Sequence, residues 1–152
     1  MIAAELHADS PDFGHLEPMV AAAERELQAA GVQAAPKVVV ADACYWHHEQ
    51  MDEIAGRGTT VLIPPDVGKR KGARPGWDGG RYAFMRSVLE TDRGRDLYAK
   101  RQGMIEPIFA NTKFNRRIDR FLRRGRAACR SEWRLITATH NLLKLHTATT
   151  AT

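Results

Sequence analysis

The chain has 152 residues, 43% of them hydrophobic and 27% charged, and a formal net charge of +5. That length holds one domain with a real core rather than two, and that composition excludes wholesale disorder. No apolar run approaches the roughly 18 residues of a membrane span, and Met1 to Leu6 lacks the basic start of a secretory signal, so no membrane partner and a cytoplasmic location are expected. The two cysteines, Cys44 and Cys129, lie far apart without CxxC spacing and give neither a zinc signature nor a disulfide framework.

Ile2 to Leu6 reads as a short strand, and Ser10 to Gly14 as a loop in which Ser10 or Asp12 is placed to cap a helix. Apolar Leu16, Met19, Val20, Ala23 and Leu27 recur at helical steps, predicting an amphipathic helix from Leu16 to Ala30 closed by Gly31. Val38 to Ala41 is a β-branched run that suits a strand buried on both faces. A short helix follows from His48 to Ala55, then a second buried strand over Thr60 to Ile63, ended by Pro64 and Pro65. Residues 66–80, rich in Gly, Pro, Lys and Arg, show no apolar period and are expected to form an exposed, mobile loop. Four helices are predicted beyond it: Tyr82 to Leu89, Arg93 to Arg101, Pro107 to Leu122, and Ala127 to Leu145. In the last, Cys129, Trp133, Ile136, His140 and Leu143 form a core-facing stripe, and the tail from Thr147 is expected to be disordered. The class is α/β.

Charge is uneven. Between Arg93 and Arg134 basic residues far outnumber the acids Asp96, Glu106, Asp119 and Glu132, which favours a polyanionic partner for the last third.

Three stretches carry a family resemblance. Ala41-Asp42-Ala43-Cys44-Tyr45-Trp46 resembles the strand end that bears the second aspartate of DDE transposases. Tyr98, Arg101, Glu106 and Lys113, with Ile105-Glu106-Pro107-Ile108-Phe109 around the acid, resemble the Tyr-Arg-Glu-Lys signature of the third acid. Glu132-Trp133-Arg134 and His140-Asn141-Leu142-Leu143-Lys144-Leu145 resemble the closing helix of the same domain, and Asp12 to Met19 resembles the helix that precedes the second aspartate. The resemblance is to bacterial insertion-sequence transposases. It implies an RNase H-like fold, here incomplete: a mixed sheet with flanking helices and a helical C-terminal third. Residues 1–146 would be the C-terminal part of the catalytic domain, with the first two strands and the first aspartate missing.

The implied chemistry is in-line displacement at phosphorus, first breaking a phosphodiester bond and then joining the freed 3′-hydroxyl to another strand. Two divalent ions roughly 3.5–4 Å apart serve such steps, and hard Mg²⁺ or Mn²⁺ suits carboxylate ligands. The resemblance makes Asp42 and Glu106 the catalytic, metal-binding acids of this chain. By position alone Asp42, at the carboxyl end of an apolar strand, is equally an ordinary cap of the next helix. Glu106 precedes Pro107, which suits the first turn of a helix; continued from there, Lys113 and Arg117 would fall within roughly 20° of Glu106 around the axis. Such a face is a metal ligand followed by phosphate contacts, or else a solvated salt-bridge surface. Tyr98, Arg101, Lys113, Arg117, Arg120 and Arg124 are the candidate DNA contacts. Arg101 lies one residue further from Glu106 than in the commoner family pattern. Cys44 stands where related sequences commonly have glycine, and it reads as a tolerated substitution rather than a nucleophile. His47-His48-Glu49 lacks HExxH spacing and is a weak zinc candidate; Trp46 and Trp133 read as core, and His140 as a buried, hydrogen-bonded histidine.

Three functions follow. The first is a DDE domain acting on insertion-sequence ends and target DNA, inactive as an isolated fragment and completed by an upstream half or by self-association. The second is a non-catalytic DNA-binding remnant that uses its basic helices. The third is an RNase H-like metal-dependent nuclease. Glu5, Asp9 and Asp12 are acids that could replace the missing one, but the sequence offers no reason for any of them to face Asp42 and Glu106.

Overall fold

A computed structural model describes residues 1–7, 12–66 and 72–150. Its elements in order are α1 (Leu16–Ala29), β1 (Val38–Val40), α2 (His48–Gly56), β2 (Thr60–Leu62), α3 (Gly80–Glu90), α4 (Asp92–Ala110) and α5 (Arg126–Thr150). A 3-10 turn at Ala43–Tyr45 and a π turn at Asn111–Asn115 complete them. The chain divides into two compact units, one of Ser10–Gly103 and one of Met1–Asp9 with Met104–Thr152.

The larger unit is built around a parallel strand pair. β1 and β2 align Val38 with Thr60, Val39 with Val61 and Val40 with Leu62. Parallel neighbours need a crossover, and α2 supplies it, packing on β2 and on α1. Leu16 and Val20 of α1, Ile54 of α2, Val61 and Leu62 of β2, Ile63 just beyond it, Met85 of α3 and Trp46 form one buried cluster. α1 ends as its sequence predicts: Gly31 takes φ +76°, and Val32 N–H reaches back to the Leu27 carbonyl at 2.9 Å. The expected side-chain cap at its start is not formed. His15 is the N-cap residue and its side chain does not cap the helix, while the His15 N–H donates to the backbone carbonyl of Asp12. Ser10 lies outside the described residues.

Several expectations are corrected. Ile2 to Leu6 is not a strand. A strand needs a ladder partner for its backbone, and this segment is tied by its ends and side chains instead. The Met1 amine donates to Asn141 Oδ1 at 2.7 Å, and Arg134 donates to Glu5 at 2.8 Å. The sheet is a parallel pair rather than a mixed sheet among the described residues. β1 is not buried on both faces: Val38 is exposed, and only β2 carries two buried residues.

Residues 72–79 form no helix or strand, yet Trp77 packs against the core rather than standing in solvent; residues 67–71 of the same expected loop lie outside the described residues. The helix predicted at Arg93 to Arg101 and the start of the one predicted at Pro107 to Leu122 are one, α4, with Pro107 inside it, and Arg116 to Leu122 form no helix. Pro107 falls in the last turn, so its missing N–H and its ring disturb only the end of the ladder. The chain then widens into the π turn, where Arg116 N–H reaches the Asn111 carbonyl at 2.9 Å.

In the smaller unit Ile136, Thr137 and His140 are the buried residues of α5, and Thr112 is buried in the π turn. Trp133 stacks on Phe109 and meets Phe121 edge-on. Leu143, expected in the core stripe, is 52% exposed. α5 stays helical through Thr150, and residues 151–152 lie outside the described set. No described helix is long and apolar enough to cross a membrane.

Candidate active site

β1 delivers Asp42 two residues beyond its last paired position, after Ala41, whose N–H still bonds the Leu62 carbonyl at 3.2 Å. The backbone there is extended, and the carboxylate caps the 3-10 turn that follows: Cys44 N–H donates to Oδ1 at 3.0 Å. The other oxygen is occupied as well. Arg101, from α4, donates from an Nη to Oδ2 at 2.9 Å, with 23% and 37% of the two side chains exposed. Arg101 Nε is buried without a hydrogen-bond partner among the described residues. The cap and the strand-end acid, alternatives in sequence, are thus the same carboxylate.

Two tyrosines flank this pair. Burial raises the pKa of the Tyr98 phenol, opposed by the Arg101 charge and helped by Asp42. Burial likewise raises Tyr45, with the Asp12 and Asp42 charges adding to it. The Cys44 thiol is raised by burial and then by Asp42 and Asp12, which keeps it protonated and agrees with its reading as a non-nucleophile. Cys44 is not among the described residues with positive φ, so no glycine is required there. The field of Asp12 therefore reaches this end of the sheet, which its place in sequence gave no reason to expect.

Beside the acid, a cavity of about 740 Å³ opens between Phe13, Cys44, His47, Arg74, Trp77 and Tyr82. Its aromatic wall is satisfied internally. Trp77 stacks on Tyr82 at 4.4 Å, Tyr82 on Trp46 at 5.1 Å, and the Arg74 guanidinium lies 4.8 Å from the Trp77 ring centre. His48 Nε2 lies 2.8 Å from the Tyr82 hydroxyl. This column is not legible in sequence because its members come from three separate segments; only Trp46 reads there as core, and it is 4% exposed.

Glu106, Lys113, Arg117, Arg120 and Arg124 belong to the other unit. Glu106 is exposed in the last turn of α4, not in a first turn. The single face expected for Glu106, Lys113 and Arg117 does not form: Lys113 sits in the π turn, and Arg117 lies past the helix with φ +55°. The angular argument assumed an unbroken α-helix, and the π turn breaks that period. Lys113, Arg117, Arg120 and Arg124 are exposed and make no ion pair among the described residues. Arg116 instead turns inward, donating to the Ile136 carbonyl at 2.9 Å and to Thr139 at 2.6 Å. Glu132 accepts the Leu122 and Arg123 amides at 2.9 and 3.0 Å, pinning the loop ahead of α5. His140 is buried, its Nδ1 3.4 Å from Asn111 Nδ2.

Among the described residues no three His, Cys, Asp or Glu side chains gather closely enough to hold a metal ion, the His47-His48-Glu49 run included. The donor set at Asp42 is one carboxylate with an amide on one oxygen and a guanidinium on the other. That set, as arranged, does not fit a divalent cation, which needs several oxygen ligands and no competing charge.

Comparisons with curated proteins and with solved structures gave no match. Residues 80–146 match the family model described as a transposase DDE domain, a stretch that includes Tyr98, Arg101, Glu106 and Lys113. Over that stretch the chain is similar to the transposase DDE domain family.

Proposed function

We propose that residues 1–146 are the C-terminal part of the RNase H-like catalytic domain of a bacterial insertion-sequence DDE transposase. In this reading Asp42 and Glu106 are two of the three acids that bind Mg²⁺ or Mn²⁺ for cleavage and joining of DNA, and the remaining acid comes from a segment outside residues 1–152. Tyr98, Arg101, Lys113, Arg117, Arg120 and Arg124 contact DNA phosphates, which carry affinity without sequence information.

The observation that carries the reading is the family match over residues 80–146, because it includes the Tyr-Arg-Glu-Lys positions. The position of Asp42 directly beyond a parallel strand supports it, since open α/β sheets place their sites at carboxyl ends. The exposed, unpaired cations Lys113, Arg117, Arg120 and Arg124 suit a polyanion.

With one acid absent, the purified chain is expected neither to cleave nor to join DNA. End-labelled duplex incubated with the chain and Mg²⁺ should remain full length, and joined products would overturn the incompleteness. Hydrolysis without joining would favour a metal-dependent nuclease instead.

A second reading has its own support. Asp42 is capped and ion-paired as an ordinary structural acid would be, which suits a DNA-binding remnant that performs no chemistry. Unaltered DNA affinity in Asp42→Asn and Glu106→Gln variants, together with no metal binding at either residue, would select it.

A further inference from the structure

Three phenylalanines lie in the smaller unit, and their rings are placed differently. Phe109 stacks on Trp133, and Phe121 meets the same indole edge-on. Phe114 is 78% exposed, and its ring has no ring partner among the described residues. The backbone beneath it is nevertheless well held. Thr112, two residues earlier, is buried, and its carbonyl accepts from the Ile118 N–H at 3.0 Å. Arg116, two residues later, is clamped on the Ile136 carbonyl and on Thr139. The ring therefore projects into solvent from an anchored π turn.

Its neighbours are cations. Lys113 precedes it and Arg117 follows three residues on, both exposed and in no ion pair among the described residues. Arg117, with φ +55°, is the one non-glycine residue with positive φ among those described, and such conformations concentrate at ligand sites. Across residues 113–126 the only acid is Asp119. A polyanion complements this charge, and a polyanion whose repeating unit carries a flat apolar ring complements Phe114 as well. In a closed duplex every base already stacks on its neighbours, so a ring enters only by prising a step apart, at an energetic cost. In a single strand the base faces are open.

We propose that Phe114 is a stacking platform for an unpaired nucleobase, with Lys113 and Arg117 on the phosphates to either side. Single-stranded DNA thereby gains a contact that closed duplex lacks. The inference rests on the reading of these cations as DNA contacts, and it adds the form of DNA that they hold.

The test is fluorescence anisotropy with the full 152-residue chain and two probes: an end-labelled single strand of mixed sequence, and the same strand in a blunt duplex. Phe114→Ala should weaken single-strand binding roughly five- to a hundredfold, the range found for loss of one base–aromatic stack, and leave duplex binding unchanged. The salt dependence should be the same in both chains, because Phe114 carries no charge. Phe114→Trp should keep the single-strand affinity, whereas Phe114→Leu, apolar but without a π face, should lose it as Phe114→Ala does. Circular dichroism establishes that each variant is folded, and the Trp and Leu variants decide the matter if Phe114→Ala is not.

Unchanged single-strand binding in Phe114→Ala, or an equal loss on both probes, would overturn the stacking role while leaving the cations as DNA contacts. Full affinity in Phe114→Leu would overturn it too, reducing the contact to apolar packing. A parent chain that binds neither probe would overturn the DNA reading itself, and this inference with it.

Discussion

Asp42 performs two separable tasks, and substitution can take them apart. Oδ1 accepts the Cys44 amide at 3.0 Å, and losing a side-chain cap of this kind costs about 0.5–2 kcal/mol. Oδ2 receives Arg101 at 2.9 Å, but the side chains are 23% and 37% exposed, so solvent screening holds that ion pair to about 0.5–1 kcal/mol. Asp42→Ala removes both and should destabilise the Ser10–Gly103 unit by about 1–3 kcal/mol. Asp42→Asn keeps an oxygen for the cap and loses the charge, so about 0.5–1 kcal/mol is expected. A double-mutant cycle of Asp42→Asn with Arg101→Ala should return a coupling of that same size. Urea unfolding in a Trp133→Phe background provides the assay, because the remaining emission comes from Trp46 and Trp77, both within this unit. Equal losses for Asp42→Asn and Asp42→Ala would refute the cap. A coupling indistinguishable from zero would refute the ion pair.

Four further outcomes follow from the structure. A Cβ at Gly94 would lie 2.0 Å from the Val88 carbonyl oxygen, so Gly94→Ala should cost on the order of 1–3 kcal/mol or more in the same unfolding assay, and a neutral result would refute that approach of backbone to backbone. Arg117 has φ +55°, so Arg117→Gly should raise stability by roughly 0.5–1 kcal/mol while weakening DNA binding, whereas a loss of stability would deny the strain. Burial, followed by the charges of Lys144, the N-terminal amine and Arg116, lowers the His140 pKa, and its Nδ1 faces Asn111. Its contribution to stability is therefore complete above the ordinary histidine pKa of about 6.5 and declines as pH falls from there toward the lowered folded value. Unfolding midpoints from pH 8 to about 5 should show that decline in the parent chain and a shallower one in His140→Gln. Replacing Arg117, Arg120 and Arg124 together with Gln should abolish a gel shift that in the parent chain weakens steeply with salt, and retained binding would count against the basic segment.

What was legible in the sequence was local. Leu16, Val20 and Leu27 gave α1 its period and Gly31 its end; the β-branched run at Val38 and the apolar run at Val61 gave the two strands, because these signals need no knowledge of distant residues. The N-terminal segment was misread because Ile2 to Leu6 has strand composition, while strand formation depends on a partner that composition does not supply. Pro107 was read as a helix start because proline favours that position; the same ring is accommodated near a helix end, and only the π turn after Ala110 reveals which occurs. At the site, Asp42 stood out by its place after an apolar run, and Arg101 by its family position. Their 2.9 Å pairing joins residues 59 positions apart, and no sequence spacing announces it. The inward turn of Arg116 among outward-facing arginines is of the same kind, since it depends on which carbonyl of α5 lies within reach.

The claim on which the function rests is that one divalent ion is gripped by both Asp42 and Glu106 when DNA is bound. Fe²⁺ in place of Mg²⁺, with ascorbate and peroxide, generates hydroxyl radicals at the metal and cuts the polypeptide next to its ligands. On the full chain with duplex DNA, mass spectrometry should find cuts beside both Asp42 and Glu106, each diminished in Asp42→Asn as well as in Glu106→Gln. Cuts beside one of them alone, or at neither, would contradict a shared metal centre.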